Sequence, residues 1–529
     1  MLKLAAADSE HFQGLMEAIK TYAQTNQWQL IWTEIALVLL ALTLLIVDLF
    51  FSGKNRKVLI PSITNMGLLA LLGVALGQLV VYRAGYGETA FGGLIVQTPL
   101  TLIMRVFFLL SALCVSFLAT IYLRRQSLPK MEFYHLILVI TASILLLIQS
   151  NQFVLFFVAL ETVTIGFYIL VGYCRTSSVS LEAGLKYLVM GGVSSAFLLF
   201  GIVLLYGVAG LPELQNTAND PMNFHDLGAF ISFNYEHPLV IAGALLVFSG
   251  VAFKIGVVPF QFWIPDVYQG APTPTAAFLA ISSKAAGFII LINLIMGPFL
   301  ALREIWIPLL STIAILTILF GNLAPLTQRN VKRVIGLSGV AHAGYLLAGV
   351  VALISGVSTA QGAIIFYLYA YMIASFTVFA VMTHVAPAND DEQEIEHYQT
   401  LLRQYPLLGI ALMVGLGSLA GIPPLAGFIG KWLLFLSLYE AGLYSLLLVA
   451  IIGVVISIFY YFSWMREATF AKMSSGYTAL NPDDKPPKPV WQGIVPTQYA
   501  SISIALLLIA NVLFGLYQGG VLQHLYLLL

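Results

Sequence analysis

The stretch LLVFSGVAFKIGVVPFQFWIPDVYQGAPTPTAAF, residues 245–278, places Lys254 in a run of apolar residues that Pro259 and Pro265 then interrupt. Each proline lacks a backbone donor and disfavours continuation of a helix. A charged side chain beside a broken apolar helix is an expensive arrangement. We therefore expect this lysine to have a specific role at a helix break.

The composition of the chain identifies its surroundings as a membrane. Of 529 residues, 60% are hydrophobic and only 9% are charged, and the mean hydropathy is +0.92. Soluble domains have about 25% charged residues. The formal net charge is zero, which excludes a bulk electrostatic partner such as nucleic acid. The two cysteines form no CxxC pair and the eight histidines show no HExxH spacing, so no metal site is predicted.

The hydrophobic runs predict an all-α polytopic membrane protein. A membrane-spanning helix needs about 20 apolar residues, and the sequence contains fourteen such runs. They are continuous rather than alternating, which favours helices over barrel strands. The runs lie near residues 31–52, 58–82, 99–122, 132–150, 152–173, 182–207, 238–260, 273–297, 301–325, 331–354, 358–384, 405–438, 443–465 and 498–517.

The distribution of basic residues predicts the orientation. The loops after runs 1, 3, 5, 9, 11 and 13 contain fifteen Lys and Arg residues, whereas the loops after even-numbered runs contain only Arg83 and Arg303. By the positive-inside rule, the first set of loops is cytoplasmic and both termini lie on the opposite side. The acidic loop 208–237 then also faces away from the cytoplasm.

Four charged residues lie deep inside the runs. Glu161 is about 15 Å into run 5 and Lys284 about 16 Å into run 8, at 1.5 Å per residue. Lys254 lies late in run 7 and Lys431 lies in run 12. Four such charges cost roughly 10–14 kcal/mol, which is comparable with the whole stability of a typical protein. The pattern indicates an ion or proton path.

Three further polar residues leave their interpretation open or favour a structural one. Lys186, about one turn into run 6, is equally consistent with a relay position and with a side chain that extends to the membrane surface. His342 lies in run 10 at about the depth of Glu161, and a satisfied core histidine and a relay residue are weighed evenly. Arg105, near the outer end of run 3, is interpreted as structural.

Two broken helices suggest an internal repeat. Run 12 would be about 50 Å long as a straight helix, so the sequence GIPPLAG at 421–427 must break it, as VVPFQFWIP at 257–265 breaks run 7. Each break adjoins a lysine, and the breaks are five runs apart. This predicts two inverted five-helix repeats with broken helices 7 and 12. The chain then divides into 1–30 outside the membrane, 31–131 with helices 1–3, 132–300 and 301–467 as the repeats, and 468–529 as a cytoplasmic loop with helix 14.

Four segments carry a resemblance to a known family. FKIGVVPFQFWIPDVYQGAPTPTAAFLAISSKAAGF, LKYLVMGG, QRNVKRVIGLSGVAHAGYLLAG and GIPPLAGFIGKWLLF resemble the antiporter-like membrane subunits of respiratory complex I. The resemblance covers about residues 30–520. Its PDVYQGAPTP segment favours the branch of subunit N of NADH-quinone oxidoreductase and the homologous subunit 2 of NAD(P)H-quinone oxidoreductase.

The resemblance implies a proton-translocating subunit of an NAD(P)H:quinone oxidoreductase, a translocase whose redox centres lie elsewhere. Quinone, NAD(P)H or another donor, flavin and iron–sulfur clusters are expected in other subunits, and none of these cofactors in this chain. The implied partners are the other membrane and peripheral subunits, including antiporter-like ones. In the implied relay, Glu161 and Lys254 form a modulating ion pair. Lys284 is the central lysine, and Lys431 connects to the second half-channel. Lys186 and His342 are supporting residues.

The sequence leaves alternatives open in function and location. The competing function is a subunit of a multisubunit cation/proton antiporter without redox activity, and a hydrogenase-linked membrane subunit is a third variant. The expected membrane is the inner membrane of a bacterial cell, with a thylakoid membrane as the alternative. The residues leave the electron donor and the quinone open.

Overall fold

The computed structural model describes residues 26–50, 53–81, 88–125, 128, 131–211, 214, 220–386, 390–470 and 498–519. The predicted N-terminal segment before residue 26 and the loop over 471–497 lie outside the described residues, as does Glu213 of the acidic loop. Apart from one short hairpin, the regular elements of the described chain are helices. The predicted all-α class is confirmed.

The described residues contain nineteen α-helices. They are α1 Trp32–Phe50, α2 Gly53–Val81, α3 Pro99–Arg125, α4 Met131–Gln149, α5 Phe153–Val171, α6 Ser178–Ala209, α7 Phe224–Asn234, α8 Pro238–Ile255, α9 Ile264–Gly270, α10 Thr273–Phe278, α11 Lys284–Met296, α12 Arg303–Leu323, α13 Val331–Ile354, α14 Ala360–Val385, α15 Leu401–Gln404, α16 Pro406–Ala420, α17 Ala426–Glu440, α18 Tyr444–Phe470 and α19 Gln498–Leu516. A π-helical turn, Leu279–Ser283, joins α10 to α11. The 3-10 turns are Trp28–Ile31, Phe91–Gly93, Leu300–Leu302, Ala324–Thr327, Asp390–Glu392 and Ile395–Tyr398.

Twelve helices within the described residues are long and apolar enough to cross a membrane. The remaining two predicted runs coincide with shorter apolar helices: run 12 is the broken pair α16 and α17, and run 14 is α19. The count of fourteen spans stays a prediction. Between α2 and α3, strands β1 Glu88–Ala90 and β2 Ile95–Gln97 pair antiparallel, a hairpin that the hydrophobic runs did not predict.

Both predicted helix breaks are present, and each begins at a glycine in the left-handed region. Gly256 (φ +73°) ends α8, and Gly421 (φ +86°) ends α16. In each case the glycine N–H bonds back to carbonyls of the preceding turn, which completes the helix end. Residues other than glycine rarely adopt this backbone conformation. Both helices therefore stop inside the protein next to a lysine, rather than at its surface.

Burial separates a central group of helices from a peripheral one. The span Thr273–Met296, α13 and α14 are almost entirely buried. By contrast, α1, α2, α6 and α18 expose many large apolar side chains. A broad apolar exterior of this kind is suited to contact with lipid. The central helices carry Lys284 and His342, so the fold places these residues in its most buried group of helices.

A buried ion pair joins the first helices to the rest of the protein. Arg105 on α3 is 3.0 Å from Glu34 on α1, and both side chains are almost fully buried. The guanidinium also donates to Gln78, Gln97 and Gln149 through their side-chain oxygens. Arg105 thus connects α1, α2, β2 and α4. This agrees with its structural interpretation from the sequence.

We predict that Glu34→Ala destabilises the protein by about 3–5 kcal/mol, because it leaves the Arg105 charge buried without a counter-ion. The measurement is the fraction of detergent-solubilised protein that stays soluble after heating. The control is Glu182→Ala, which removes a carboxylate from an exposed pair with Lys186 and should change stability by less than about 1 kcal/mol. Equal losses in both variants would contradict a structural role for the buried pair.

Candidate functional site

Lys254 lies on the last turn of α8 and is buried. Its Nζ donates a 2.6 Å hydrogen bond to Thr164 Oγ1 on α5, and the ring centroid of Phe253 is 5.6 Å away. A small cavity beside this contact is lined by Lys254, Thr164 and Ser283 among others. Because Ser283 immediately precedes Lys284, the cavity lies between the Lys254 site and the helix that carries the next lysine.

Glu161 is half-buried on α5, and its Oε1 accepts a 2.6 Å hydrogen bond from Ser195 Oγ on α6. No ion pair within 4.0 Å joins Glu161 to Lys254, so the direct pair expected from the sequence is not formed in this structure. The lysine instead reaches Thr164, which lies on the same helix one turn beyond Glu161. A hydroxyl therefore holds each member of the expected pair.

Lys284 is buried at the point where the π-helical turn ends and α11 begins. Its Nζ donates to the backbone carbonyl of Gly339 on α13. A Cβ at position 339 would lie 2.9 Å from this Nζ, so a side chain there would require the amine to shift. The Nζ also lies 5.7 Å from the ring centroid of Tyr371 on α14.

His342 is buried among four tyrosines. Its Nδ1 is 2.6 Å from the hydroxyl of Tyr367, and its Nε2 is 3.2 Å from the hydroxyl of Tyr461. Its ring centroid is 4.9 Å from that of Tyr371, the ring that also faces Lys284. Both imidazole nitrogens have hydroxyl partners, so the ring can accept a proton on one side and release one on the other.

Lys431 lies one turn into α17, after the second helix break. Its Nζ donates to the carbonyls of Leu419 and Ala420 at 2.8 and 3.0 Å. These carbonyls belong to the last turn of α16, where helical hydrogen bonds are no longer available. The Nζ is 5.3 Å from the ring centroid of Tyr345, and the ring of His342 is 6.2 Å from the same centroid.

The structure thus brings Lys284, His342 and Lys431 into one continuous series. Tyr371 lies between the first two, and Tyr345 lies between the last two. Within the described residues, Lys254, Lys284 and Lys431 have no carboxylate within 4.0 Å. Each amine is held by neutral acceptors. Because no carboxylate stabilises the ammonium form, these sites can hold the amine in either its neutral or its protonated form.

Lys186 occupies a different environment. Its side chain is 43% exposed and forms ion pairs with Glu182 at 2.6 Å and Asp266 at 2.8 Å. Asp266 is also 3.1 Å from Arg333 at the start of α13. The structure therefore places Lys186 in an exposed charged network, away from the buried series around His342.

Several residues of the site have no signal in the sequence pattern. The hydroxyls of Thr164 and Ser195 and the four tyrosines around His342 are residue types that are common in any apolar helix. Gly339 is one of 44 glycines. Tyr367 and Tyr371 lie four positions apart on α14, and this helical spacing on one face is the only local feature that links two of these residues.

Comparison with known proteins gives a consistent picture. The family described as NADH:quinone oxidoreductase/Mrp antiporter, TM, matches residues 150–457. NADH-quinone oxidoreductase subunit N 1 of Opitutus terrae is 53% identical over 508 residues, which cover 95% of this chain and 98% of the relative.

Two solved structures share the fold. One chain of respiratory complex I from Thermus thermophilus aligns with a TM-score of 0.73 and 28% identity, over 93% of this chain and 98% of that chain. A chain of the Mrp complex from Dietzia sp. DQ12-45-1b aligns with a TM-score of 0.78 but only 18% identity, over 94% and 96% of the two chains. The second likeness concerns the fold alone.

We predict that Gly339→Ala displaces the Lys284 amine without unfolding the protein, because the group that must move is the flexible end of a side chain. A structure of the variant should show Nζ away from the residue 339 carbonyl, with a thermal stability close to that of the parent. Gly192→Ala on α6 is the control, since a Cβ there meets no heavy atom within 4 Å. An unmoved amine in Gly339→Ala would contradict this account of the contact.

Proposed function

The chain belongs to the NADH-quinone oxidoreductase subunit N family, and we propose that its buried lysines and His342 form the path by which it translocates protons. It is an antiporter-type membrane subunit of complex I and assembles with the other subunits of that enzyme. As a subunit of an NADH:quinone oxidoreductase, it contributes to a proton-translocating translocase. Electron transfer to quinone proceeds in other subunits, which bind the donor, the flavin, the iron–sulfur clusters and the quinone.

The observation that supports the path most strongly is the series Lys284, His342 and Lys431, in which every charged or titratable group has neutral partners. A proton relay needs groups that gain and lose a proton at similar cost. Burial disfavours the ammonium form of lysine, and a carboxylate at close range would restore it. Carbonyl oxygens stabilise the ammonium form more than an apolar environment does and less than a carboxylate does. Arginine at the same positions would stay protonated.

Glu161 and Lys254 form the proposed control point of this relay. The carboxylate faces Ser195 and the amine faces Thr164, and both acceptors for the amine lie on α5 one turn apart. A rotation of the Lys254 side chain toward Glu161 would favour its ammonium form, and a return to Thr164 would favour proton release. Buried groups coupled in this way titrate as a set.

The proposed orientation of the chain in the membrane follows from the charge distribution of the loops. The arginine- and lysine-rich loops face the cytoplasm and both termini face the other side. The membrane is the inner membrane of a bacterial cell, in line with a relative from Opitutus terrae. The two inverted repeats, with α8 and α16 as equivalent broken helices, would give one half-channel to each side of the membrane.

The cation/proton antiporter remains the second class of function considered. The Mrp likeness at 18% identity supports only the shared fold, whereas the 53% identical relative is an oxidoreductase subunit over nearly its full length. Native purification separates the two classes. Co-purification with NADH:quinone oxidoreductase activity is expected, and an isolated chain that exchanges cations without redox partners would contradict the proposal.

We predict that Lys284→Ala abolishes proton pumping by this subunit, because no other titratable side chain in the span Thr273–Met296 can replace the amine. The measurement is NADH-driven acidification of inside-out vesicles, normalised to the amount of assembled complex. Arg303→Ala, which removes an exposed cation at the start of α12, is the control and should pump normally. Normal pumping by correctly assembled Lys284→Ala would overturn the relay.

A further inference from the structure

The segment 390–398 between α14 and α15 contains five acidic residues, and only one of them is buried. Glu392, Glu394 and Glu396 are exposed and Asp391 is half-buried, whereas Asp390 is 8% exposed. A buried carboxylate beside exposed ones requires a specific partner. That partner is Lys332 at the start of α13.

Asp390 and Lys332 form a fully buried ion pair. The Nζ of Lys332, which is 1% exposed, lies 2.8 Å from Asp390 Oδ2. The same ammonium also donates to the carbonyl of Ala271 at 2.8 Å and to that of Gln269 at 3.3 Å. All three N–H groups of the ammonium therefore have acceptors, and two of these acceptors lie in the last turn of α9 and directly after it.

The carboxylate is equally well satisfied. It accepts from the backbone N–H of Thr273 at 2.8 Å and from the Thr273 hydroxyl at 2.7 Å. It also accepts from Gln393 Nε2 at 2.5 Å. Thr273 is the first residue of the span that carries Lys284, and its N–H is one of the donors that a helix leaves unpaired at its start. Asp390 thus supplies that donor with an acceptor from a distant part of the chain.

Backbone contacts attach the same segment to the start of α13. Val331 N–H donates to the Gln393 carbonyl at 2.8 Å, and Ile395 N–H donates to the Arg329 carbonyl at 3.1 Å. The side chain of Asn330, which caps α13, donates to the Asp391 carbonyl at 2.8 Å. The segment therefore lies alongside residues 329–333 as well as against Thr273.

The two helices joined in this way are the helices that meet at Lys284. The span from Thr273 carries Lys284, and α13 from Val331 carries Gly339 and His342. The Lys284 amine reaches the Gly339 carbonyl only because the helices approach closely there. A shift of one helix along the other would separate amine and carbonyl.

We propose that Asp390 and Lys332 are positioning residues that set the register of the Lys284 helix against α13, so that Lys284 meets Gly339. The two residues act through the helix starts and touch neither the transported proton nor the relay groups. This inference rests on the proposed function of Lys284. It gives the acidic segment a role that its charge pattern did not indicate.

A polar cavity beside the pair provides a direct probe. Cys174, Tyr122, Ser180, Pro272 and Asp390 are among the residues that line it. Burial raises the pKa of the Cys174 thiol, which keeps the reactive thiolate scarce. Loss of the pair should loosen the segment over this cavity and expose the thiol.

The first experiment measures this exposure in the assembled complex with Cys114 replaced by serine. In inside-out vesicles, Asp390→Asn should increase the rate of Cys174 labelling by a membrane-impermeant maleimide by about tenfold, because one partner of a buried pair is lost. Glu396→Gln, which removes an exposed carboxylate of the same segment that does not line this cavity, should leave the rate unchanged. An unchanged rate in Asp390→Asn would overturn the proposal. This readout does not depend on pumping, so it stays informative if the relay itself is refuted.

The second experiment tests whether the pair acts through Lys284. Pumping is compared in Asp390→Asn, Gly339→Ala and the double variant. If both changes displace the same amine, the double variant should pump no worse than the more impaired single variant, because the effects share one cause. Multiplied losses in the double variant, or normal pumping in either single variant, would overturn the proposal.

Failure to assemble has its own control. Asp390→Glu keeps the charge and should restore assembly, slow Cys174 labelling and most of the pumping. If Asp390→Asn fails to assemble, recovery of assembly, slow labelling and most of the pumping in Asp390→Glu supports the positioning role. An assembled Asp390→Glu variant that labels slowly but pumps as poorly as Gly339→Ala would contradict it. If Asp390→Glu and Asp390→Asn both fail to assemble, the pair is a folding requirement only and the proposal is wrong.

Discussion

The constraint on which the structure depends is the burial of an amine without a counter-ion. Lys284 lies in the most buried part of the protein, and its amine is held by the carbonyl of Gly339. A helical carbonyl has a second lone pair that can accept this extra bond, and a Cβ at position 339 would lie 2.9 Å from the amine and require it to shift. The π-helical turn before Lys284 is a further departure from regular geometry at the same position, and such turns occur often at functional sites.

The same principle recurs at the other two lysines. Lys254 bonds a threonine hydroxyl and Lys431 bonds two carbonyls at a helix end. Each broken helix ends at a left-handed glycine, and each break places a lysine where the regular hydrogen-bond pattern stops. At Lys431 the interrupted helix itself supplies the neutral acceptors, whereas Thr164 and Gly339 lie within continuous helices. In contrast, the buried pairs of Arg105 with Glu34 and of Lys332 with Asp390 hold helices together.

Local patterns in the sequence predicted much of this arrangement. The helix breaks at 257–265 and 421–427 follow from proline and glycine, and the depth of Lys254, Lys284 and Lys431 follows from the run boundaries. The contacts could not be predicted, because they join residues far apart in the chain. Thr164 is 90 positions from Lys254, and Gly339 is 55 positions from Lys284. Asp390 is one of five acidic residues within seven positions, and only the packing of three helix ends shows that it is buried.

The central claim is that the buried lysines gain and release protons, and one substitution at the Lys254 control point tests it most directly. Lys254→Arg keeps a positive charge at the site but does not release a proton. The measurement is the number of protons pumped per NADH oxidised by the assembled complex, compared with the parent protein. The account predicts impaired pumping with normal assembly. Pumping equal to that of the parent protein would show that Lys254 acts as a fixed charge and would contradict the protonation switch.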